Sequence, residues 1–405
     1  METRWIDRYA QRTKEMRSSL VRELLKLTTE ADVISFAAGM PGADLFPIDE
    51  FQAAATRVLY EHGAGGLQYS TTEGERSLRE MIARHTARYG ISVTPDNVLI
   101  TSGSQQALDL VGKVFLNPGD HVLVERPTYV GALQAWSSYQ AEYLTVPVDE
   151  DGMRTDELDT ALRGGPKFIY ALPNFQNPTG VTLSLERRKE LIRLADVHGV
   201  PILEDDPYGQ LRYEGQHLPP LVSLDAEYRG LPGAGYSGNV IYLSTFSKTL
   251  APGLRLGWIV GPPDVIQRLA QAKQGVDLHT SSFTQLLAFE VARSGFLDSH
   301  VRLLRRAYIE RRDAMLSAMT ASFPPTVHWT KPKGGLFVWA TMPEGVDATE
   351  VLKRALAEKV AFVPGSAFFA DGSGRNTMRL NFTHRRPHEI AEGIARLGRV
   401  LSTTL

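Results

Sequence analysis

The sequence predicts an α/β fold, with a large domain around a mostly parallel sheet sandwiched by helices and a smaller α+β domain after it. Three observations carry this. Between about residues 95 and 300, short apolar runs alternate with helical patterns, the order of βα units. Several of those runs are almost continuously apolar, as strands buried on both faces must be. After residue 300 the order changes to a long Arg- and Leu-rich helix, then strands and helices in turn.

The strands are placed at Val98-Leu-Ile-Thr, His121-Val-Leu-Val, Lys167-Phe-Ile-Tyr, Pro201-Ile-Leu, Val240-Ile-Tyr-Leu and Leu256-Gly-Trp-Ile-Val. Helical periodicity fills Gln105–Phe115 and Leu185–His198. Tyr213–Asn239, rich in Gly and Pro, is read as one long loop. In the later region, Leu297–Met319 is a helix, Gly335–Ala340 a strand, Ala348–Glu358 a helix and Met378–Phe382 a strand before a closing helix. Residues 48–300 are expected to form the large domain and 301–405 the small one. Residues 1–47, with a helix at Ser18–Leu27 but too few strands to stand alone, are expected to pack with the small domain.

Composition narrows the function. The 405 residues hold 44 Lys plus Arg against 46 Asp plus Glu, a net charge of −2. Such a balance lacks the clustered positive excess that a nucleic-acid or anionic-membrane surface needs, so neither partner is expected. With no cysteine, there are no disulfides, thiolate metal sites or thiol nucleophiles. No metal site is expected. The start, Met1-Glu-Thr-Arg-Trp-Ile-Asp-Arg, carries charges where a signal peptide needs an apolar run. No uncharged apolar stretch approaches the ~18 residues of a membrane span. A cytoplasmic protein is expected.

In an open α/β sheet, ligands bind beyond the carboxyl ends of the strands, so those ends identify the chemistry. Val98-Leu-Ile leads into Thr101-Ser102-Gly103-Ser104-Gln105 and a helix start, which offers hydroxyls, free N–H groups and a positive dipole end to an anion. The plain alternative is an N-cap with a tight turn. Lys167-Phe-Ile-Tyr leads to Asn177-Pro178-Thr-Gly180, a turn carrying an amide. Pro201-Ile-Leu leads to Glu204-Asp205-Asp206-Pro-Tyr208. Acids at the end of an apolar strand are costly without partners, and a protonated pyridine nitrogen would suit one. Val240-Ile-Tyr-Leu leads to Ser244-Thr245-Phe-Ser247-Lys248, with Arg255 seven residues on. A surface lysine is the ordinary alternative, but a lysine among small and apolar residues between two strands has a lowered pKa and forms imines readily. Together these are the parts for holding pyridoxal 5'-phosphate. One decoy is set aside. Gly233-Ala-Gly235-Tyr-Ser-Gly238 matches a dinucleotide-binding pattern but lacks the preceding strand and following helix that make it work.

At this point the chain resembles the fold-type I pyridoxal-phosphate aminotransferases, most closely the 2-aminoadipate, aromatic and kynurenine group. The resemblance runs over essentially the whole chain. It rests on Ser244-Thr-Phe-Ser-Lys248-Thr-Leu-Ala-Pro-Gly-Leu-Arg255-Leu-Gly-Trp, on Asn177-Pro-Thr-Gly180, and on Asp205-x-x-Tyr208 in that order.

The resemblance implies that Lys248 forms the internal aldimine and then moves the proton, and that Asp205 pairs with the ring N–H. It implies that Asn177 and Tyr208 bind the ring oxygen, and that Tyr129 stacks on the ring. Ser102, Gly103, Ser104, Gln105, Thr245, Ser247 and Arg255 would surround the phosphate. Arg379 would fork the substrate α-carboxylate. Gly39 would close over the substrate, and Pro332-Lys-Gly334-Gly335-Leu-Phe337 would lie near the pocket. Arg22, helped by Ser19, would read an acidic side chain. Tyr69 would reach the phosphate of a second subunit, making a homodimer. The implied reaction moves the α-amino group of 2-aminoadipate, aromatic or branched-chain amino acids to a 2-oxo acid such as 2-oxoglutarate, by ping-pong kinetics. Two alternatives remain: a carbon–sulfur β-lyase, which needs the same Lys248 and Asp205, and the effector-sensing module of a transcriptional regulator.

Overall fold

The computed structural model describes residues 3–14, 32–231 and 235–405. The expected helix at Ser18–Leu27, and with it Ser19 and Arg22, lies outside the described residues.

A short strand, β1 (Ile34–Ser35), precedes the large sheet. That sheet holds β2 (Val98–Thr101), β3 (His121–Arg126), β4 (Glu142–Asp149), β5 (Gly152–Met153), β6 (Ile169–Ala171), β7 (Ile202–Asp205), β8 (Val240–Thr245) and β9 (Gly257–Val260), in the order β2-β9-β8-β7-β6-β3-β4-β5. The run from β8 to β4 is parallel throughout. β9 is antiparallel to both of its neighbours, and β5 is antiparallel to β4.

Side-chain alternation shows why the strands read as apolar runs. Val98, Ile100, Ile169, Ile202, Val240 and Val260 join one buried layer. Leu99, Phe168, Tyr170, Leu203, Ile241 and Ile259 join the layer on the opposite face. Both faces are covered, so neither set can be polar.

Two expectations are corrected here. Tyr213–Asn239 is not one loop, because it contains the helix Leu221–Tyr228. Its propensity signals are weak, and its start is held from elsewhere: Glu204 at the end of β7 accepts from the Leu221 and Val222 N–H groups at 2.8 and 2.9 Å. The helix then buries Leu221, Val222, Leu224 and Ala226. The sequence reading also lacks β4, which pairs with β3 along six residues. Most of β4 is only half-buried, so it carries no apolar run. The dinucleotide-like pattern runs from Gly235 through Tyr236 directly into β8, with no helix after it.

Beyond the large sheet come β10 (His328–Trp329), β11 (Phe337–Thr341), β12 (Val360–Ala361), β13 (Val363–Pro364) and β14 (Thr377–Asn381). Four of them form an antiparallel sheet in the order β10-β11-β14-β13. β12 pairs instead with β1, in parallel. Phe36 and Ala37, just past β1, are buried in the core of this second sheet. The division expected near residue 300 falls inside a continuous helix, Phe296–Ser322. Phe296 and Leu297 pack on the large-sheet core, while Leu304, Tyr308, Met315 and Met319 pack on the other. At 1.5 Å per residue this helix is about 40 Å long, enough to serve both. Among the described residues, no helix is long and apolar enough to cross a membrane.

Candidate active site

The carboxyl ends of β6, β7 and β8 open into a cavity of about 650 Å³. Ser104, Gln105, Tyr129, Asn177, Asp205, Tyr208, Thr245, Ser247, Lys248 and Arg255 line it. So do Gly39, Met40, Pro41, Phe337 and Arg379 from the amino-terminal segment and the second sheet.

The three consecutive acids separate by role. Glu204 caps the helix Leu221–Tyr228. Asp206 accepts from the Asn174 amide at 3.0 Å and the Gly209 N–H at 2.8 Å. Asp205 turns to the cavity. Its Oδ2 accepts from the Tyr170 hydroxyl at 2.8 Å, while Oδ1 is buried without a partner among the described residues. Burial, against the Tyr170 hydrogen bond, pushes its carboxyl up to about 7. Ionising it therefore calls for a cation at Oδ1.

Lys248 donates from Nζ to the Gly39 carbonyl at 2.8 Å. Burial, with the Arg379 and Arg255 guanidiniums adding to it, lowers its ammonium to about 8. Because burial disfavours the cation, the proton leaves earlier and the amine is neutral above that pH. Trinitrobenzenesulfonate labelling of Lys248 in cofactor-free enzyme should therefore rise with pH through about 8. A free lysine titrates near ~10.4, and a midpoint there would show that burial does not tune this amine.

At the other end, Gly103 precedes the helix Ser104–Phe115 with φ 86°, where a side chain is strained. A Cβ there would also lie 2.6 Å from the Arg255 guanidinium. The glycine thus lets Arg255 close on the helix N-terminus. Among the described residues, the Ser104 hydroxyl is buried without a partner at this end. Thr245 spends its hydroxyl on Ser247 and the Leu256 carbonyl, at 2.9 and 2.7 Å, which ties β8 to the start of β9.

Arg379, on β14, is 2 % exposed. It donates to Asn177 Oδ1 at 2.8 Å and to the Ala37 carbonyl at 2.7 Å, and its guanidinium lies over the Phe337 and Phe368 rings at 4.3 and 4.9 Å. Its Nε has no partner among the described residues. Burial lowers it to about 10, so it stays charged at neutral pH. Asn177 and Tyr208 both line the cavity beside it.

Two residues stand elsewhere. The Ser102 hydroxyl donates to Asp277 at 2.9 Å and neighbours Thr280, and Ser102 is not among the lining residues. Tyr69 is 78 % exposed, edge-on to His279, and does not line the cavity of its own chain. The sequence reading overlooks Tyr170, Gln134 and Leu172. Tyr170 lies in a strand it places correctly, but only the β6–β7 register, with Tyr170 beside Leu203, shows that its hydroxyl meets Asp205.

A family model of the aminotransferases of class I and II matches residues 31–397. The chain belongs to this family. The aminotransferase is 46% identical over 400 residues to aromatic-amino-acid aminotransferase 1 of Thermococcus litoralis, a match covering 97% of this chain and 94% of that one. It is 46% identical over 402 residues to 2-aminoadipate transaminase of Thermus thermophilus, covering 99% and 98%. It superposes with a TM-score of 0.92, at 44% identity and 99% coverage of both chains, on the crystal structure of an alpha-aminoadipate aminotransferase from Thermus thermophilus complexed with N-(5'-phosphopyridoxyl)-L-leucine.

The fold is therefore type I, the cofactor is pyridoxal phosphate and the reaction is transfer of an amino group. The residues of the aminotransferase fit the cofactor on their own account. The partnerless Asp205 Oδ1 suits a pyridine N–H, and the partnerless Ser104 hydroxyl beside Arg255 suits a phosphate.

Proposed function

We propose that the aminotransferase takes its amino group from 2-aminoadipate, aromatic or branched-chain amino acids and passes it to a 2-oxo acid such as 2-oxoglutarate. The observation that carries the reading is one cavity holding a half-buried amine (Lys248), a half-partnered acid (Asp205) and a buried guanidinium fork (Arg379). The names of the relatives support the donor classes.

Bound pyridoxal phosphate supplies a ring that accepts the electron pair left when an amino acid loses its Cα proton. Arg379 binds the α-carboxylate and fixes the face presented to Lys248. The Lys248 amine takes the Cα proton and later returns it. Asp205 would hold a proton on the ring nitrogen, Asn177 and Tyr208 would hold the ring oxygen, and Tyr129 would lie against the ring. Gly103, Ser104, Gln105, Ser247 and Arg255 would hold the phosphate, with Ser102 and Thr245 shaping the turns behind it. Arg22 and Ser19 read an acidic donor side chain. Residues 1–47 and 301–405 act as one unit against the large domain, 48–300. The exposed Tyr69 belongs to a homodimer, in which it serves the neighbouring site.

The test gives purified holoenzyme one amino acid at a time, without a 2-oxo acid. We expect a shift in cofactor absorbance and release of one 2-oxo acid per site, then a stop, as a ping-pong half-reaction requires. Arg22→Ala should weaken 2-aminoadipate more than leucine. No shift with any amino acid would overturn transfer, and continuous pyruvate release from an S-substituted cysteine would assign a lyase instead.

A further inference from the structure

We infer that Tyr170 is a positioning residue of the reaction, its hydroxyl holding the Asp205 carboxylate so that Oδ1 alone meets the cofactor. This rests on the reading above that Asp205 pairs with the ring nitrogen.

The geometry comes from sheet register. Tyr170 on β6 pairs with Leu203 on β7, so Asp205, two residues further on, lies on the same face of the sheet. The Tyr170 hydroxyl reaches Asp205 Oδ2 at 2.8 Å. Among the described residues this is the side-chain donor that Asp205 has, and Oδ1 is left without one. Both residues are almost fully enclosed, Tyr170 at 0% and Asp205 at 3% exposure. A carboxylate with one free bond to Cβ could otherwise rotate and present either oxygen.

The phenol is itself braced. The Trp136 ring meets it edge-on at 5.1 Å and 86°. The Trp136 indole N–H donates to the Leu108 carbonyl at 2.9 Å, within the helix Ser104–Phe115. That is the helix whose N-terminus faces the phosphate end of the cavity. Trp136 and Tyr170 therefore relate the spacing of the two cofactor-binding ends to each other through rigid rings.

Chemistry adds a second contribution. A hydrogen bond donated to the ionised carboxylate favours that form, while burial and the neighbouring Asp206 oppose it. Burial raises the Tyr170 phenol well above its ordinary value, so it remains a donor at working pH. Without it, Asp205 is neutral over more of the pH range, and a neutral acid does not hold a proton on the ring.

The test is Tyr170→Phe, which keeps the ring between Trp136 and the sheet and removes one oxygen. A hydrogen bond to a charged group corresponds to roughly ten- to a hundredfold. We therefore expect kcat to fall ~10- to 100-fold and cofactor dissociation to strengthen ~10-fold, with KM for the amino donor within ~2-fold. In an Asp205→Asn background the same substitution should change kcat and cofactor affinity less than ~2-fold, because Tyr170 acts through the carboxylate. Unchanged kcat and cofactor affinity in Tyr170→Phe overturn the inference. So do equal losses with and without the Asp205 carboxylate, which would mark a packing role. If Asp205→Asn alone keeps full kcat and cofactor affinity, the reading of Asp205 fails, and Tyr170 with it.

Discussion

Lys248→Ala is expected to lower kcat by at least ~10⁴-fold while the protein stays folded. Proton transfer by a positioned base contributes up to ~10⁴-fold by itself. Among the described residues, Lys248 is the one lysine that lines the cavity. The fold should tolerate the change. Burial lowers the Lys248 ammonium to about 8, below its unfolded value, so the unfolded chain binds the proton more tightly. The associated cost to the folded state is fully present below about pH 8 and fades as pH rises towards the unfolded value. At pH 7 alanine removes that cost, and the loss is one hydrogen bond to the Gly39 carbonyl. The melting temperature at pH 7 should hold or rise. A variant with kcat within tenfold of the parent would refute the role of this lysine, and borohydride reduction of the cofactor-loaded variant should leave no label on the chain.

Arg379→Ala is the second large effect. Removing one partner of a buried, hydrogen-bonded charge pair costs ~2–5 kcal/mol, or roughly 30- to 5,000-fold in kcat/KM. The loss should fall mostly on KM for amino acids and 2-oxo acids. Arg379→Lys should recover only part of it. An ammonium keeps the charge but lacks the planar fork that lies over Phe337 and Phe368 and bonds Asn177 and Ala37. Primary amines, which carry no α-carboxylate, provide the control: their slow half-reactions should be indifferent to Arg379→Ala. An equal loss on amines and amino acids would refute the carboxylate role.

How much of this was legible in the sequence depends on where the information sits. Lys248, Asp205, Asn177 and the Ser104 turn lie at the ends of strands recognisable as apolar runs, so local pattern and strand-end logic place them together. The helix at Leu221–Tyr228 escaped because its start is capped by Glu204, seventeen residues upstream. Tyr170 escaped because its meaning lies in register between two strands. β4 escaped because a half-buried strand needs no apolar run. Arg379 and Gly39 were reachable only by resemblance, since only the folded chain brings the Arg379 guanidinium to the Ala37 carbonyl, 342 positions away.

The pairing of β1 with β12 has a consequence for recombining this enzyme with its relatives. A chimera that exchanged only residues 301–405 would set a foreign β12 against the native β1, and foreign core packing against Phe36. It would also part Arg379 from the Ala37 carbonyl to which it donates, and the Gly39 carbonyl, two residues on, meets Lys248. The inheritable module is therefore discontinuous: residues 32–41 travel with the carboxy-terminal quarter, and a crossover between them separates Arg379 from the carbonyl it bonds.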